Sequence, residues 1–204
     1  DDIVITKPGT LCDPKSRVRL KEKKTEFVSR GGDKLNHFIE KNDFDVKDKC
    51  CLDIGISTGG FSDVLLRKEA LHILGIDVGY GILDFQLRKN TQLSLLERTN
   101  AREVTDIELN TLLKKHHLST KDIQLVVMDV SFISVFKILP NLINLLNDTT
   151  EYIILIKPQL GENIGACARS MKNFGFNNLN IVSPKFTFPN HKTKVTSVGA
   201  IDII

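Results

Sequence analysis

Four charged residues stand at the ends of apolar segments, where side chains could bind a ligand or move a proton. They are Asp53, Asp77, Asp129 and Lys157, and the predicted strands that they end are 50–54, 71–76, 124–128 and 152–156. In a parallel sheet the ligand lies beyond the carboxyl ends of the strands, so we expect these side chains to line one cleft. Carboxylates there can bind an ammonium group or ribose hydroxyls, and a lysine with a lowered pKa can act as a base.

The first strand continues into a glycine-rich turn that indicates close approach of a ligand to the backbone. Gly55, Gly59 and Gly60 follow Asp53, and a helix is predicted after them. A dinucleotide-binding turn would have the spacing Gly-x-Gly-x-x-Gly and would hold a pyrophosphate. Here an acidic residue precedes Gly-x-x-x-Gly, which disfavours a pyrophosphate and favours a ligand with an ammonium and a sulfonium, such as S-adenosylmethionine. The alternative is a tight turn with incidental glycines. Asp77, one strand later, would hold the ribose diol.

Alternation of strands and helices predicts how these residues are positioned. Helices are predicted after Ser29-Arg-Gly-Gly32, at residues 60–67, after a capping box of Thr105 and Glu108, and around Pro140. A further strand is predicted at residues 93–96. This order predicts the α/β class, with a mostly parallel, doubly wound sheet that has helices on both faces.

Composition narrows the class of protein further. The chain has 41% hydrophobic and 26% charged residues, and its longest apolar segments are too short to span a membrane. No leader is recognisable at the start and the cysteines show no metal or disulfide spacing, so we expect a cytoplasmic protein with reduced thiols and no bound metal. Residues 7–41 contain ten lysines and arginines against five acidic residues. Such a basic segment suits contact with a phosphate backbone, although a solvated surface would look the same.

Six motifs, in order, resemble one known family. They are Phe27-Val-Ser-Arg-Gly-Gly-x-Lys34-Leu, Leu52-Asp-Ile-Gly-x-Ser-Thr-Gly-Gly-Phe-x-Asp63, Asp77-Val-Gly-Tyr-Gly-x-Leu-Asp84, Glu97-Arg-Thr-Asn-Ala-Arg102, Asp129-Val-Ser-Phe-Ile-Ser134 and Ile156-Lys-Pro-Gln159. Together they resemble the hemolysin-A-type (TlyA) branch of the FtsJ-like ribosomal RNA 2'-O-methyltransferases over residues 25–160. The resemblance implies a Rossmann-like, S-adenosylmethionine-dependent methyltransferase fold. Residues 1–24 resemble the tail of the S4-type RNA-binding domain of that family.

The resemblance implies roles for particular residues. It implies S-adenosylmethionine contacts at Asp53, Gly55, Ser57, Gly59, Asp77 and Asp129. It also implies a catalytic Lys-Asp-Lys-Glu set, which maps onto Lys34, Asp129 and Lys157. A lysine can remove the proton of a ribose hydroxyl only if burial or a nearby cation lowers its pKa, and Lys34 could be that cation for Lys157. Taken singly, each lysine would be interpreted as a surface charge, and the order of the family motifs is what favours the catalytic roles. Arg30 and Lys34, in the basic segment, are expected to contact RNA.

After Gln159 the resemblance changes. No residue corresponds to the glutamate of the catalytic set, and residues 161–204 resemble the first motif of the SpoU-type RNA methyltransferases, which have an unrelated, knotted fold. That likeness implies RNA contacts at Asn163 and Arg169. Locally we predict a helix capped by Asn163 and closed by Gly175. A hybrid chain is the preferred interpretation, in which this segment packs on the sheet or completes it.

Three functions are compared. The first is methyl transfer from S-adenosylmethionine to a ribose 2'-hydroxyl of ribosomal RNA, with that RNA or a ribosomal subunit as partner. The second is a catalytically impaired protein that binds cofactor and RNA without turnover, because the glutamate and most of the S4 domain are not found. The third, a nicotinamide-dependent oxidoreductase, is disfavoured by the spacing of the glycines.

Overall fold

Five parallel strands form a single sheet in the order β3-β2-β1-β4-β5. The computed structural model describes residues 15, 17, 25–129, 132–155, 161–176 and 190–203. The strands are β1 Cys50–Ile54, β2 His72–Ile76, β3 Leu93–Leu96, β4 Ile123–Met128 and β5 Glu151–Ile154. The α-helices are α1 Arg30–Lys41, α2 Gly60–Arg67, α3 Phe85–Arg88, α4 Asp106–Leu113, α5 Phe132–Leu145, α6 Gly161–Asn173 and α7 His191–Ser197.

Helices cover both faces of the sheet, as the apolar strands require. Every residue of β1 and β2 is buried. Cys51 and Leu125 face a cluster that contains Leu35 of α1 and Val64 of α2. The neighbouring side chains of the same strands join a second cluster with residues of α4 and α5. Because successive side chains of a strand point to opposite faces, continuous apolar strands bury both faces of a parallel sheet. The prediction of a parallel, doubly wound α/β fold is confirmed.

Local signals explain several helix ends. Ser29 caps α1 by accepting a hydrogen bond from the N–H of Gly31, and the predicted capping box of Thr105 and Glu108 starts α4. Gly175, at φ +80°, follows α6 and ends it as predicted. The prediction that Asn163 caps this helix is wrong, because α6 begins at Gly161 and therefore has Asn163 within its first turn.

Some sequence predictions fall on parts of the chain that the structure does not describe. Among residues 1–24, the predicted S4 tail, only Lys15 and Arg17 are described, and Lys157 also lies outside the described residues. In the part that is described, no helix is both long enough and apolar enough to cross a bilayer.

A buried histidine lies at the start of β2, at the opposite end of the strand from Asp77. His72 is 2% exposed, its Nε2 lies 3.1 Å from Ser94 Oγ, and its ring centroid lies 4.0 Å from that of His116. Burial, with a smaller effect from His116, lowers the pKa of His72 to about 4. The folded protein therefore keeps this imidazole neutral at pH values at which the unfolded chain protonates it.

This pKa shift predicts a loss of stability in mild acid. The pKa of His72 in the folded protein lies below its unfolded value of about 6.5. The contribution of His72 to the free energy of unfolding is therefore complete above pH 6.5 and is lost as the pH falls towards 4. We expect His72→Gln to remove a pH-dependent part of the unfolding free energy, on the order of 1–3 kcal/mol. Urea denaturation at pH 7 and pH 4.5 measures it. His37→Gln, at an exposed position, is the control; equal pH dependence of His72→Gln and the unmutated chain would contradict the prediction.

Candidate active site

Three of the four predicted strand-end residues converge at one edge of the sheet. Asp53 of β1 pairs with Gly75 of β2 and Val127 of β4 in the parallel register, so the ends of these strands are level. Asp77 and Asp129 each follow directly after a strand, β2 and β4 respectively. Both carboxylates raise the pKa of Asp53 electrostatically. The three aspartates therefore lie near one another at the carboxyl edge of the sheet, and we call them the acidic rim. That they line one cleft together with Lys157 stays a prediction.

Asp53 is the buried member of this group. Its side chain is 1% exposed and accepts a hydrogen bond from Ser62 Oγ at 2.7 Å. Burial raises its pKa to about 7; hydrogen bonds from Ser62 oppose the shift, and Asp77 and Asp129 add to it. A buried carboxylate among like charges is an unfavourable arrangement that a bound cation would relieve. Asp53 is thus suited to bind an ammonium group.

Asp77 holds the turn that follows β1. Its carboxylate accepts hydrogen bonds from the backbone N–H groups of Ser57, at 2.8 Å, and Gly79, at 2.7 Å. It also lines a cavity of about 340 Å³ between the ends of β1 and β2 and the loop after β3. The lining residues are Ile54, Gly55, Ile76, Asp77, Val78, Thr99, Asn100, Ala101, Arg102 and Ile138. A mostly apolar cavity with few polar groups is typical of a small-molecule site.

The glycine-rich turn has a backbone shape that side chains would oppose. Gly59 has φ +94°, and a Cβ there would come within 2.3 Å of Leu87 Cδ1. Gly55 lines the cavity, and the exposed Ser57 has φ +51°. The turn leads into α2, whose first residue is Gly60. Because the amides at the start of a helix have no helical partner, this turn presents backbone donors at the rim.

The loop after β3 forms a wall of the cavity. It contains the motif Glu97–Arg102, to which the sequence assigns no role. The N–H of Thr99 donates to the carbonyl oxygen of Asp77 at 2.9 Å, and that of Arg98 to the carbonyl oxygen of Gly79 at 3.1 Å. These bonds bring Asn100 and Arg102 to the cavity. The available signal was a run of polar residues directly after a predicted strand, the same position that marks Asp77 and Asp129.

The remaining predicted residues lie on helices. Arg30 and Lys34 are exposed on α1. The start of α1 lies against the start of α2: a Cβ on Gly32 would come within 2.8 Å of the carbonyl oxygen of Gly60. Asn163 is half-buried and Arg169 exposed on α6, which packs mainly against α7. The described contacts do not place these two residues beside the acidic rim, and their contact with RNA stays a prediction.

Two exposed aromatic rings in the segment after Asp77 were not predicted from the sequence. Tyr80 is 66% exposed and Phe85 is 63% exposed, both in the segment that follows Asp77. The guanidinium of Arg98 lies 4.2 Å from the Tyr80 ring centroid, and Lys89 Nζ lies 4.0 Å from that of Phe85. Exposed rings paired with cations are typical of surfaces on which unpaired bases stack.

The five-stranded, all-parallel sheet and its strand order are similar to those of the Rossmann-like fold of S-adenosylmethionine-dependent methyltransferases. Within this class, the chain belongs to the FtsJ-like methyltransferase family, which matches residues 27–192. The predicted family is confirmed. The S4-type tail and the SpoU-like character of residues 161–204 stay predictions.

Named relatives are similar over much of this chain. It is 36% identical over 160 residues to the 16S/23S rRNA (cytidine-2'-O)-methyltransferase TlyA of Mycobacterium tuberculosis, covering 78% of this chain and 56% of that protein. The 23S rRNA (cytidine-2'-O)-methyltransferase TlyA of Campylobacter jejuni is 40% identical, with 68% and 49% covered. A solved structure of a candidate hemolysin from Streptococcus thermophilus has a TM-score of 0.64 at 29% identity, with 76% and 58% covered. The chain spans about half the length of the curated relatives it matches.

Proposed function

We propose that this protein transfers a methyl group from S-adenosylmethionine to a ribose 2'-hydroxyl of ribosomal RNA. The observation that carries the proposal is the convergence of Asp53, Asp77 and Asp129 at the carboxyl ends of neighbouring strands in an FtsJ-like domain, with Asp77 also lining a cavity. Relatives at 36% and 40% identity carry the name of rRNA (cytidine-2'-O)-methyltransferase. The substrate class is carried over from those names.

The described residues fit S-adenosylmethionine. Asp53 offers a buried carboxylate for the ammonium of the methionine part, and Asp77 offers two oxygens for the ribose diol. The cavity of about 340 Å³ has apolar walls and Asn100 for the adenosine part. Gly55, Ser57 and Gly59 shape the turn between these positions. When bound, this cofactor supplies an electrophilic methyl group on a sulfonium.

The protein's own part in the reaction is to position the 2'-hydroxyl and take up its proton. Lys157 is proposed as the base, since it follows β5 by three residues in the sequence, and Lys34 as the neighbouring cation that lowers the pKa of Lys157. Asp129, half-buried after β4, would orient this lysine or contact the methionine amine. A base within hydrogen-bonding distance of the hydroxyl accepts the proton while the oxygen attacks the methyl carbon.

The RNA is proposed to lie across the carboxyl edge of the sheet. Arg30 and Lys34 on α1 would contact its phosphates, and Asn163 and Arg169 on α6 are proposed as further contacts. The exposed Tyr80, with Arg98 over its ring, offers a stacking surface for an unpaired base.

Transfer of radiolabel from S-adenosylmethionine tests the proposal. The purified chain is incubated with ribosomal subunits and with free 16S and 23S rRNA, and the label is located after alkaline hydrolysis. We expect label in dinucleotides that resist alkali, because a 2'-O-methyl group blocks cleavage at that nucleotide. Absence of label in RNA from every substrate, with a chain that binds the cofactor, would overturn the proposal.

A catalytically impaired, binding-only protein is the second candidate. In this sequence Lys34, Asp129 and Lys157 are matched to the family's catalytic set, and its glutamate is not assigned to a residue. Calorimetry that measures micromolar binding of S-adenosylmethionine, together with no transfer to any rRNA, would support this candidate over the first.

The raised pKa of Asp53 predicts that cofactor affinity depends on pH. Only the ionised carboxylate attracts an ammonium, so we expect full affinity above pH 7 and roughly a tenfold loss per pH unit below it. Asp53→Asn should bind more weakly at pH 8 and lose this pH dependence. Calorimetric titrations from pH 5.5 to pH 8 measure both, with Asp45→Asn as an exposed control. A pH-independent affinity of the unmutated chain would contradict the prediction.

A further inference from the structure

An acid–base pair on α2 ties down the chain segment that precedes α1. Asp63 is 7% exposed, and its Oδ2 accepts a hydrogen bond from the backbone N–H of Val28 at 3.0 Å. Arg67, one turn further along α2, donates to the same carboxylate through Nε at 2.9 Å and Nη2 at 3.2 Å. The carboxylate is therefore shared between its own helix and a segment 35 residues earlier in the chain.

Arg67 contacts the same segment directly. Its Nη2 donates to the carbonyl oxygen of Glu26 at 3.1 Å, and its guanidinium lies 4.7 Å from the ring centroid of the buried Phe27. The pair thus holds the three successive residues 26–28, directly before Ser29, the N-cap of α1. Charge-assisted, bidentate bonds of this kind restrain both position and direction. We call Asp63 and Arg67 the clasp.

The clasp holds two helix starts in direct contact. A Cβ on Gly60 would come within 2.1 Å of Ser29 Oγ and 3.0 Å of the N atom of Gly32. Gly60 is also the residue at which the glycine-rich turn becomes α2. The position of the first turns of α1, and hence of Lys34, is therefore set relative to the turn that shapes the cofactor site.

Besides the clasp, the described contacts at this end of α1 include the burial of Phe27 and the close approach of Gly32 to Gly60, neither of which is a directional, charge-assisted bond. Leu35 and Ile39 pack into the core and hold the helix on the sheet. Apolar packing is non-directional, and the glycines at the start offer no side chains to interlock. Without the clasp, the first turn of α1 could shift while its later turns stay packed.

We propose that Asp63 and Arg67 are positioning residues for RNA methylation. They hold Lys34 and the start of α1 at the distance from the glycine-rich turn that methyl transfer requires. The inference rests on the proposed function, since it assigns the clasp to the same site. Neither residue is proposed to touch substrate. A displacement of about 1 Å in a reacting group can lower a rate by roughly 100-fold, so a modest shift of α1 has a measurable effect.

Hydrogen exchange of the cofactor-free protein tests the clasp itself. In Asp63→Asn and Arg67→Met, we expect faster exchange at Val28 and residues 30–34, with β1 and β4 unchanged. The matched control is Lys68→Met, which removes an ion pair from Lys68, directly after α2, to Glu40 of α1 (Nζ to Oε1, 3.3 Å), at the far end of both helices. If the amides of Val28 and residues 30–34 exchange no faster in the clasp variants than in Lys68→Met, the proposal is overturned.

Kinetics test the consequence for the site. Under saturating cofactor and RNA, we expect kcat to fall roughly tenfold in both clasp variants, with the cofactor Kd within about twofold of its original value. Arg67→Lys keeps the charge but not the bidentate geometry, so its kcat should lie between those of the two clasp variants and that of the unmutated protein. Unchanged kcat with altered exchange, or parallel losses in kcat, cofactor binding and melting temperature, would overturn the positioning role. If the unmutated chain transfers no methyl group, the proposed function fails, and exchange still decides whether the clasp holds α1.

Discussion

Replacing Lys157 by alanine is expected to lower the turnover of rRNA methylation by roughly 10²- to 10⁴-fold, the range that general base catalysis contributes. The ribose hydroxyl is a weak nucleophile until its proton leaves, and the variant has no group at that position to accept it. Cofactor affinity should change by less than about threefold, because Asp53 and Asp77 carry the proposed polar contacts. Single-turnover transfer of labelled methyl to rRNA and calorimetry with S-adenosylmethionine measure the two effects separately.

A second substitution distinguishes a base from a charge at this position. Lys157→Arg retains a cation, but a guanidinium does not lose its proton near neutral pH, so this variant should be as slow as Lys157→Ala. Lys137→Ala, at an exposed position on α5, is the control and should keep full turnover. Near-normal turnover of Lys157→Arg would show that Lys157 contributes charge and that another group accepts the proton.

Replacing Asp77 by alanine is expected to raise the Kd for S-adenosylmethionine by roughly 100-fold. The substitution removes both oxygens proposed to bind the ribose diol, and each charge-assisted hydrogen bond contributes about 1.5–3 kcal/mol. It also leaves the N–H groups of Ser57 and Gly79 without their acceptor. The glycine-rich turn should therefore lose order as well. Calorimetry measures the affinity, and hydrogen exchange at Ser57 and Gly79 measures the order.

Two variants separate the loss of ribose contacts from nonspecific damage. Asp77→Asn keeps one acceptor oxygen without the charge, so its Kd should lie between those of the unmutated chain and Asp77→Ala. Glu103→Gln, at an exposed position in the loop after β3, should bind as the unmutated chain does. Equal cofactor affinity of Asp77→Ala and Glu103→Gln would exclude Asp77 as a cofactor contact.

Asp77→Ala and Lys157→Ala test different ends of the same site. Asp77 belongs to the cofactor side, where the described cavity lies, and Lys157 to the proposed reacting side. An Asp77 defect that is overcome by more cofactor, beside a Lys157 defect that is not, would place the two residues in binding and chemistry respectively.

The sequence alone determined the local features of this protein. The strands at 50–54 and 93–96 and the helix at 60–67 agree with β1, β3 and α2. Alternating apolar segments, capping residues and helix-ending glycines act over a few neighbouring residues, so they can be interpreted without a fold. The position of an aspartate at or directly after the end of β1, β2 and β4 is a local feature too. The parallel sheet then brings Asp53, Asp77 and Asp129 together by its geometry.

Contacts between distant segments were decided only by the tertiary structure. Val28 and Asp63 lie 35 residues apart, and His72 meets Ser94 and His116 from three separate elements. The wall of the cavity formed by Asn100 and Arg102 depends on how the loop after β3 docks against the end of β2. No periodicity or spacing encodes such pairings, because they follow from the strand order β3-β2-β1-β4-β5 and from side-chain packing across it.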